Sequence, residues 1–270
     1  MKIKYLCPFW GSETIGPEVF VERVMEAGFD GVEINLPDNE DHRKKLVRYL
    51  NDNRLLFVAQ QYLPSLNEDF ATYRRRYIRR LEELAALGPL FINSHTGKDF
   101  WSFAQNCQLI EDAFLIQEST GVPVYHETHR GRFTFHPAQL LQFLDRYPAL
   151  KITADFSHWC AVSESFLEDQ RPSLERAIQH TGHIHARVGH TQSPQVTDPF
   201  VPEWEAALHT FVNWWQEIIQ FNSSQGNTQM CICPEFGPVP YMPSLPYTNQ
   251  PVNNQWLLNV KMKDFLRREL

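Results

Sequence analysis

No apolar run in this 270-residue chain is long enough to span a membrane, and Met1 is followed by Lys-Ile-Lys-Tyr with neither a hydrophobic leader nor a small-residue cleavage pattern. A cytoplasmic location, with no membrane partner, is therefore expected. An excess of positive charge is also missing. Against 25 Lys and Arg stand 32 Asp and Glu, a net charge of -7, which opposes a broad polyanion-binding surface, so no nucleic acid is expected as a partner. Cysteines are few and odd in number. Cys7, Cys107, Cys160, Cys231 and Cys233 lack zinc-ribbon spacing and read as packed core thiols in a reducing compartment, with Cys231 and Cys233 on the inward face of one strand. No internal repeat or low-complexity stretch is evident.

What is present is a regular alternation of short apolar runs and amphipathic segments. It predicts strands near Ile3–Trp10, Gly31–Leu36, Leu55–Tyr62, Leu90–His95, Val122–Glu127, Leu150–Phe156, His183–Val188 and Met230–Glu235. Helices are predicted at Pro17–Ala27, Asp41–Asn51, Phe70–Leu87, Phe103–Ser119, Pro137–Arg146, Ser173–His180, Pro202–Phe221 and Val252–Arg268. Gly28, Gly88, Gly121 and Gly182 stand between a helix and the next strand, where a left-handed cap suits glycine. Eight such units close most naturally into a single-domain (β/α)8 TIM barrel over residues 1–270, an ordinary size for that fold.

Four segments place a carboxylate or an imidazole after a short apolar run: VYHETH with Glu127, KITADF with Asp155, HIHARV with His185 and ICPEFG with Glu235. Two Glu, one Asp and one His make a mixed oxygen and nitrogen shell suited to a divalent cation. The intervals of 28, 30 and 50 residues match one strand-helix unit, another, and a third with an inserted loop. Alternation puts the polar residues on one face. In HIHARV, Ile184, Ala186 and Val188 form the apolar row and His183, His185 and Arg187 the other; in KITADF, Ile152, Ala154 and Phe156 oppose Asp155.

The segments HETHRG, TADFSHW, HIHARVG and PEFG, in that order on the fifth to eighth strands, resemble the xylose isomerase-like TIM barrels of the sugar isomerase and epimerase superfamily, especially ketose 3-epimerases. The resemblance spans nearly the whole chain. It implies one divalent ion (Mn2+, Mg2+, Co2+ or Zn2+) held by Glu127, Asp155, His185 and Glu235, with Glu127 and Glu235 also serving as acid and base on opposite faces of a sugar substrate. It further implies that His158, three residues past Asp155, touches substrate oxygens. Chemistry supports the assignment, because a proton next to a carbonyl leaves readily only when the enediolate is stabilised. Dehydratases of the same superfamily share these ligands and remain an alternative. The trinuclear-zinc abasic-site endonucleases are a further one, but they need an Asp-x-His pair where this chain reads Asp198-Pro199-Phe200. A metal-binding module without turnover is the non-enzymatic option.

Other residues are expected around the mouth. His95 and Asn93 share inward parity at the end of the fourth strand, and His95 is a candidate for substrate or a second ion. Arg187 is a candidate for a substrate hydroxyl or carboxylate. Glu33 and Trp10 are candidates for the pocket wall, with His129 and Arg130 in the loop above Glu127; His183 and His126 read as structural. Trp101, Trp159 and Phe236 are further options for apolar walls. The loops GHTQSPQ and FGPVPYM offer no glycine nest for phosphate, which favours an unphosphorylated sugar or sugar acid. The Pro-rich stretch 237–251 suggests a rigid lid over the mouth or a brace against the last helix. The arginines at 74, 75, 76, 79 and 80 read as an exposed, ion-paired face, and the stripe Trp204, Leu208, Phe211, Trp215, Ile218 as core. Assembly into a homo-oligomer is left open.

Overall fold

Strand-forming runs with period-two alternation become eight parallel strands in a computed structural model that describes every residue except Asp38 and Ser65. They are β1 (Lys2–Pro8), β2 (Gly31–Ile34), β3 (Leu56–Gln61), β4 (Ile92–Ser94), β5 (Val124–Glu127), β6 (Ile152–Ala154), β7 (Thr181–His185) and β8 (Gln229–Cys233), and they close in chain order, with β8 pairing back onto β1. The helices around them are α1 (Pro17–Glu26), α2 (Glu40–Asp52), α3 (Phe70–Ala85), α4 (Phe103–Thr120), α5 (Pro137–Arg146), α6 (Phe156–Ser163), α7 (Arg171–His180), α8 (Glu205–Ser224) and α9 (Gln255–Glu269). The closed (β/α)8 barrel is as the sequence predicts. Among the described residues no helix is long and apolar enough to cross a membrane.

Local chemistry sets the helix starts. Asn39, Asp69, Ser102 and Asn254 each accept a hydrogen bond from a first-turn N–H, and Ser102 with Gln105 completes a capping box. The helix α6 is absent from the sequence reading, which runs the sixth strand on to Phe156. Asp155 caps this helix through Ser157 N, so the backbone leaves the sheet at Ala154; Phe156, Trp159 and Cys160 then pack at helical spacing instead of alternating. The consequence is functional, since Asp155 is fixed by its own helix start.

Two apolar layers flank the strands. Leu6, Val58, Phe91, Cys231 and Cys233 fill the lower barrel, whereas Ile152, Ala154, Ile184 and Ile232 face the helices in the larger core. All five cysteines are buried and free. Leu208, Phe211, Trp215 and Ile218 lie in the core, and Trp204 is partly buried against His190.

Gly28, Gly88 and Gly121 do adopt positive φ, but Gly182 lies inside β7 and is not a cap. Its role is steric: a Cβ there would meet the Tyr125 ring at 2.9 Å, and that ring stacks on Phe91 in the barrel floor. Gly182→Val is therefore expected to cost about 1–3 kcal/mol by overpacking. Urea unfolding measures this, and an unchanged midpoint would refute it.

The basic helix α3 needs a correction at one position. Arg74 forks onto Asp112 at 2.7 and 2.8 Å and Arg79 pairs with Glu83, but Arg80 is buried and reaches Asn35 and the Leu36 carbonyl beyond β2. That residue anchors a mouth loop instead of facing solvent.

Candidate metal centre

The four strand-end residues converge. Glu127 ends β5, His185 ends β7, Asp155 follows β6 and Glu235 lies two residues past β8. One ligand atom from each lies within 4.8 Å of the others, and the residues are 5 % exposed or less. With Glu33 below, four buried carboxylates lie close together, countered by Arg187 on Asp155 and Glu235 and by His185 on Glu33 and Glu235. Such an excess of buried negative charge calls for a cation. Burial pushes the Asp155 carboxyl up to about 6 against the pull of Arg187.

The histidine is oriented for ligation. His185 Nε2 lies 2.9 Å from Glu33 Oε1, so that edge of the ring donates downward. Its Nδ1 lies 2.8 Å from Glu235 Oε2 and 3.7 Å from Glu127 Oε1 without a hydrogen bond of acceptable geometry. Against the opposing effect of burial, the Glu235, Glu33 and Glu127 carboxylates raise the ring's pKa well above the ordinary value, so a metal ion there would take the place of a proton. The donor set and this orphaned atom fit a single divalent ion held by Glu127, Asp155, His185 and Glu235.

Glu33 is an orienting residue beneath the centre and does not border the cavity as the sequence suggests. It takes His185 on one oxygen and His183 on the other at 2.8 Å, while Asn93 Nδ2 donates to it and to Glu127 at 2.8 and 2.9 Å. His183 reaches the Cys231 carbonyl with its other nitrogen, and so is satisfied in the core. If Glu33 fixes the His185 tautomer, Glu33→Gln should weaken divalent-ion affinity about 10–100-fold. Calorimetric titration with Mn2+ tests it, and equal affinity would show that His185 needs no such support.

Above the centre opens a cavity of about 440 Å³, ample for a monosaccharide-sized ligand. Its wall includes Trp10, Gln60, Tyr62, His95, Glu127, His129, Arg132, Arg187, Glu235 and Tyr241. Of the four clustered residues, Glu127 and Glu235 border it, while Asp155 and His185 sit behind. His95 Nε2 lies 2.8 Å from Glu127 Oε2, and Gln60 Nε2 donates to Glu235 Oε1 at 3.2 Å. His95, Glu127 and His129 also form a three-residue group able to hold an ion.

His158, expected to touch substrate, is fully buried and absent from that wall. Its Nε2 accepts from Arg187 NH2 at 2.8 Å, and burial holds the ring neutral by lowering its pKa well below the ordinary value. It therefore sets Arg187, whose same NH2 is bonded to Asp155 and whose NH1 faces Glu235 at 3.8 Å. His126 is likewise internal, bonded to Thr96 Oγ1 at 2.7 Å, with its pKa lowered by burial to about 3. Trp159 and Phe236 are buried and Trp101 packs on Phe70 and Tyr73, so of the suggested aromatic walls Trp10 alone borders the cavity.

Residues 237–251 contribute Tyr241, which meets Trp10 edge-on at 4.9 Å and lies under the Arg187 guanidinium. The start of this segment is clamped from two sides. Gln195 exchanges two hydrogen bonds with Gly237, and Asn259 two with Phe236. Gly237 has no room for a side chain, since a Cβ would lie 2.2 Å from the Trp10 ring.

Gln60, Tyr62, Arg132 and Tyr241 escape the sequence reading as site residues. Gln60 and Tyr62 carried a usable signal, as both share inward parity with Leu56 and Val58 on the predicted strand Leu55–Tyr62. Arg132 and Tyr241 lie on loops, where no periodicity points to a face.

Comparison with known proteins agrees with this architecture. The 3-keto-D-glucoside 4-epimerase YcjR of E. coli superposes with a TM-score of 0.64 at 14 % identity, covering 99 % of this chain and 100 % of the other. The probable 3-DHS dehydratase AsbF of Bacillus anthracis gives 0.60 at 22 %, covering 99 % and 100 %. A xylose isomerase-like protein from Mycobacterium smegmatis in complex with magnesium gives 0.65 at 12 %, covering 98 % and 96 %. No curated protein matches by sequence. Residues 21–219 match the family described as xylose isomerase-like TIM barrel, and to that family the chain belongs.

Proposed function

We propose that this protein is a divalent-metal-dependent isomerase or epimerase of a ketose or related sugar, working through an enediolate. The observation that carries the reading is the convergence of Glu127, Asp155, His185 and Glu235 at the base of a sugar-sized cavity, with both glutamates, and neither of the other two, on its wall. When bound, the divalent ion supplies Lewis-acid polarisation of the substrate carbonyl, which acidifies the neighbouring C–H.

The residues divide the remaining work. One glutamate takes the proton and the other returns one from the opposite face, as inversion requires. His95 and Asn93 hold Glu127, and Gln60 holds Glu235, so each carboxylate has a fixed direction. Asp155 and His185 lie behind as ligands, set by Arg187 and Glu33. Trp10 and Tyr241, the latter on the 237–251 segment whose start is clamped, supply the apolar wall against a sugar face and keep water from the enediolate.

The test is turnover of a ketose panel in D2O with Mn2+, Mg2+, Co2+ or Zn2+ restored to metal-free protein. Deuterium at the carbon next to the carbonyl in the product supports the reading, and product without deuterium would mean hydride shift and overturn it. A second outcome is loss of water. An unsaturated product would identify a dehydratase.

A further inference from the structure

Two arginines border the cavity, and their surroundings are opposite. Arg187 is occupied by Asp155 and His158. Arg132, on the loop after β5, is 6 % exposed, and no carboxylate pairs with it among the described residues. Its Nε has no acceptor, and NH1 has only the Gly97 carbonyl at a long 3.5 Å. A guanidinium cannot lose its proton to escape this situation, so burial without an anion leaves the charge uncompensated.

The placement gives the charge a direction. Arg132 lies over the Tyr62 ring at 5.6 Å, and Tyr62 meets His95 edge-on at 5.6 Å between ring centroids. His95 in turn holds Glu127. The free cation thus stands two rings away from the ligand cluster, on the same cavity wall. Lys98 adds positive charge nearby, its pKa lowered by burial and by Arg132. Glu68, an acid on that side, is already taken by Arg76.

We propose that Arg132 selects a sugar derivative carrying an anionic group, a carboxylate or a phosphate ester, with that group at Arg132 and the reacting carbons at the cluster. The guanidinium fork matches either anion, and a neutral sugar would leave it unpaired. This deepens the sugar isomerase reading and rests on it for the word sugar.

The experiment is calorimetric binding of D-glucuronate, D-glucose 6-phosphate and D-glucose to Mn2+-loaded protein at one ionic strength. At least one anion is expected to bind tenfold or more tightly than glucose, and Arg132→Met should cut that preference, taken as the ratio of the two affinities in the same variant, below threefold. Whichever anion is preferred identifies the source of the charge. Should Arg132→Met lose its fold by circular dichroism, Arg132→Gln, which keeps a donor for Gly97, makes the same comparison. Anions binding no tighter than glucose, absence of binding included, would overturn the proposal, as would a preference that survives both substitutions. Binding is read without turnover, so the two readings fail separately. Preference without deuterium exchange sinks the reaction alone, and exchange without preference sinks the anion site alone.

Discussion

Replacing Glu235 by Gln is expected to lower turnover by about 10²–10⁴-fold, the usual contribution of a positioned acid or base. Gln keeps the size of the side chain and one oxygen toward the cluster, so the fold and much of the bound metal should remain. The residue borders the cavity at 5 % exposure and is held by Gln60, so lost rate would not reflect a lost neighbour. A sharper outcome follows from the two-sided arrangement. If Glu235 takes the proton from one epimer and Glu127 from the other, Glu235→Gln should still exchange deuterium into the epimer served by Glu127. Rates and exchange on the same samples decide it. Unchanged rates would remove Glu235 from the chemistry, and exchange lost from both epimers equally would show that the glutamates act as one unit.

The second large effect concerns stability. Arg187→Met should cost the metal-free protein about 3–5 kcal/mol, because it leaves the fully buried Asp155 carboxylate without its cation and His158 without its donor. For a chain of this size that lowers the melting temperature by roughly 10 °C. Saturating Mn2+ should recover part of the loss, since a cation on Asp155 replaces the missing charge. The comparison is thermal unfolding of both proteins with and without the ion. A loss below about 1 kcal/mol would show that Asp155 is carried by Ser157 and backbone donors alone.

The four candidate ligands are legible because parity and spacing report on strands directly. In HIHARV every second side chain faces inward, so His185 and Arg187 had to share a face whatever the surroundings. The same logic reached Glu33 but not its depth. Parity states which side of the sheet a residue is on, whereas height along the barrel axis depends on the register of β2 against β1 and β3. Glu33 accordingly lies under His185 as an orienting carboxylate. His158 differs in kind: only the family resemblance points it at substrate, and the α6 helix that begins at Asp155 turns it onto Arg187.

By itself, the sequence determined the closed ring of eight strand-helix units and the four residues at its rim, because apolar periodicity and the spacing of polar strand ends are local properties of the chain. Tertiary structure alone decided that Glu127 and Glu235 reach the cavity while Asp155 and His185 stand behind them. It alone also brought Arg132 and Tyr241 to the wall. Loop side chains have no period, and what they face is set by packing between segments more than a hundred residues apart, as when Tyr241 meets Trp10.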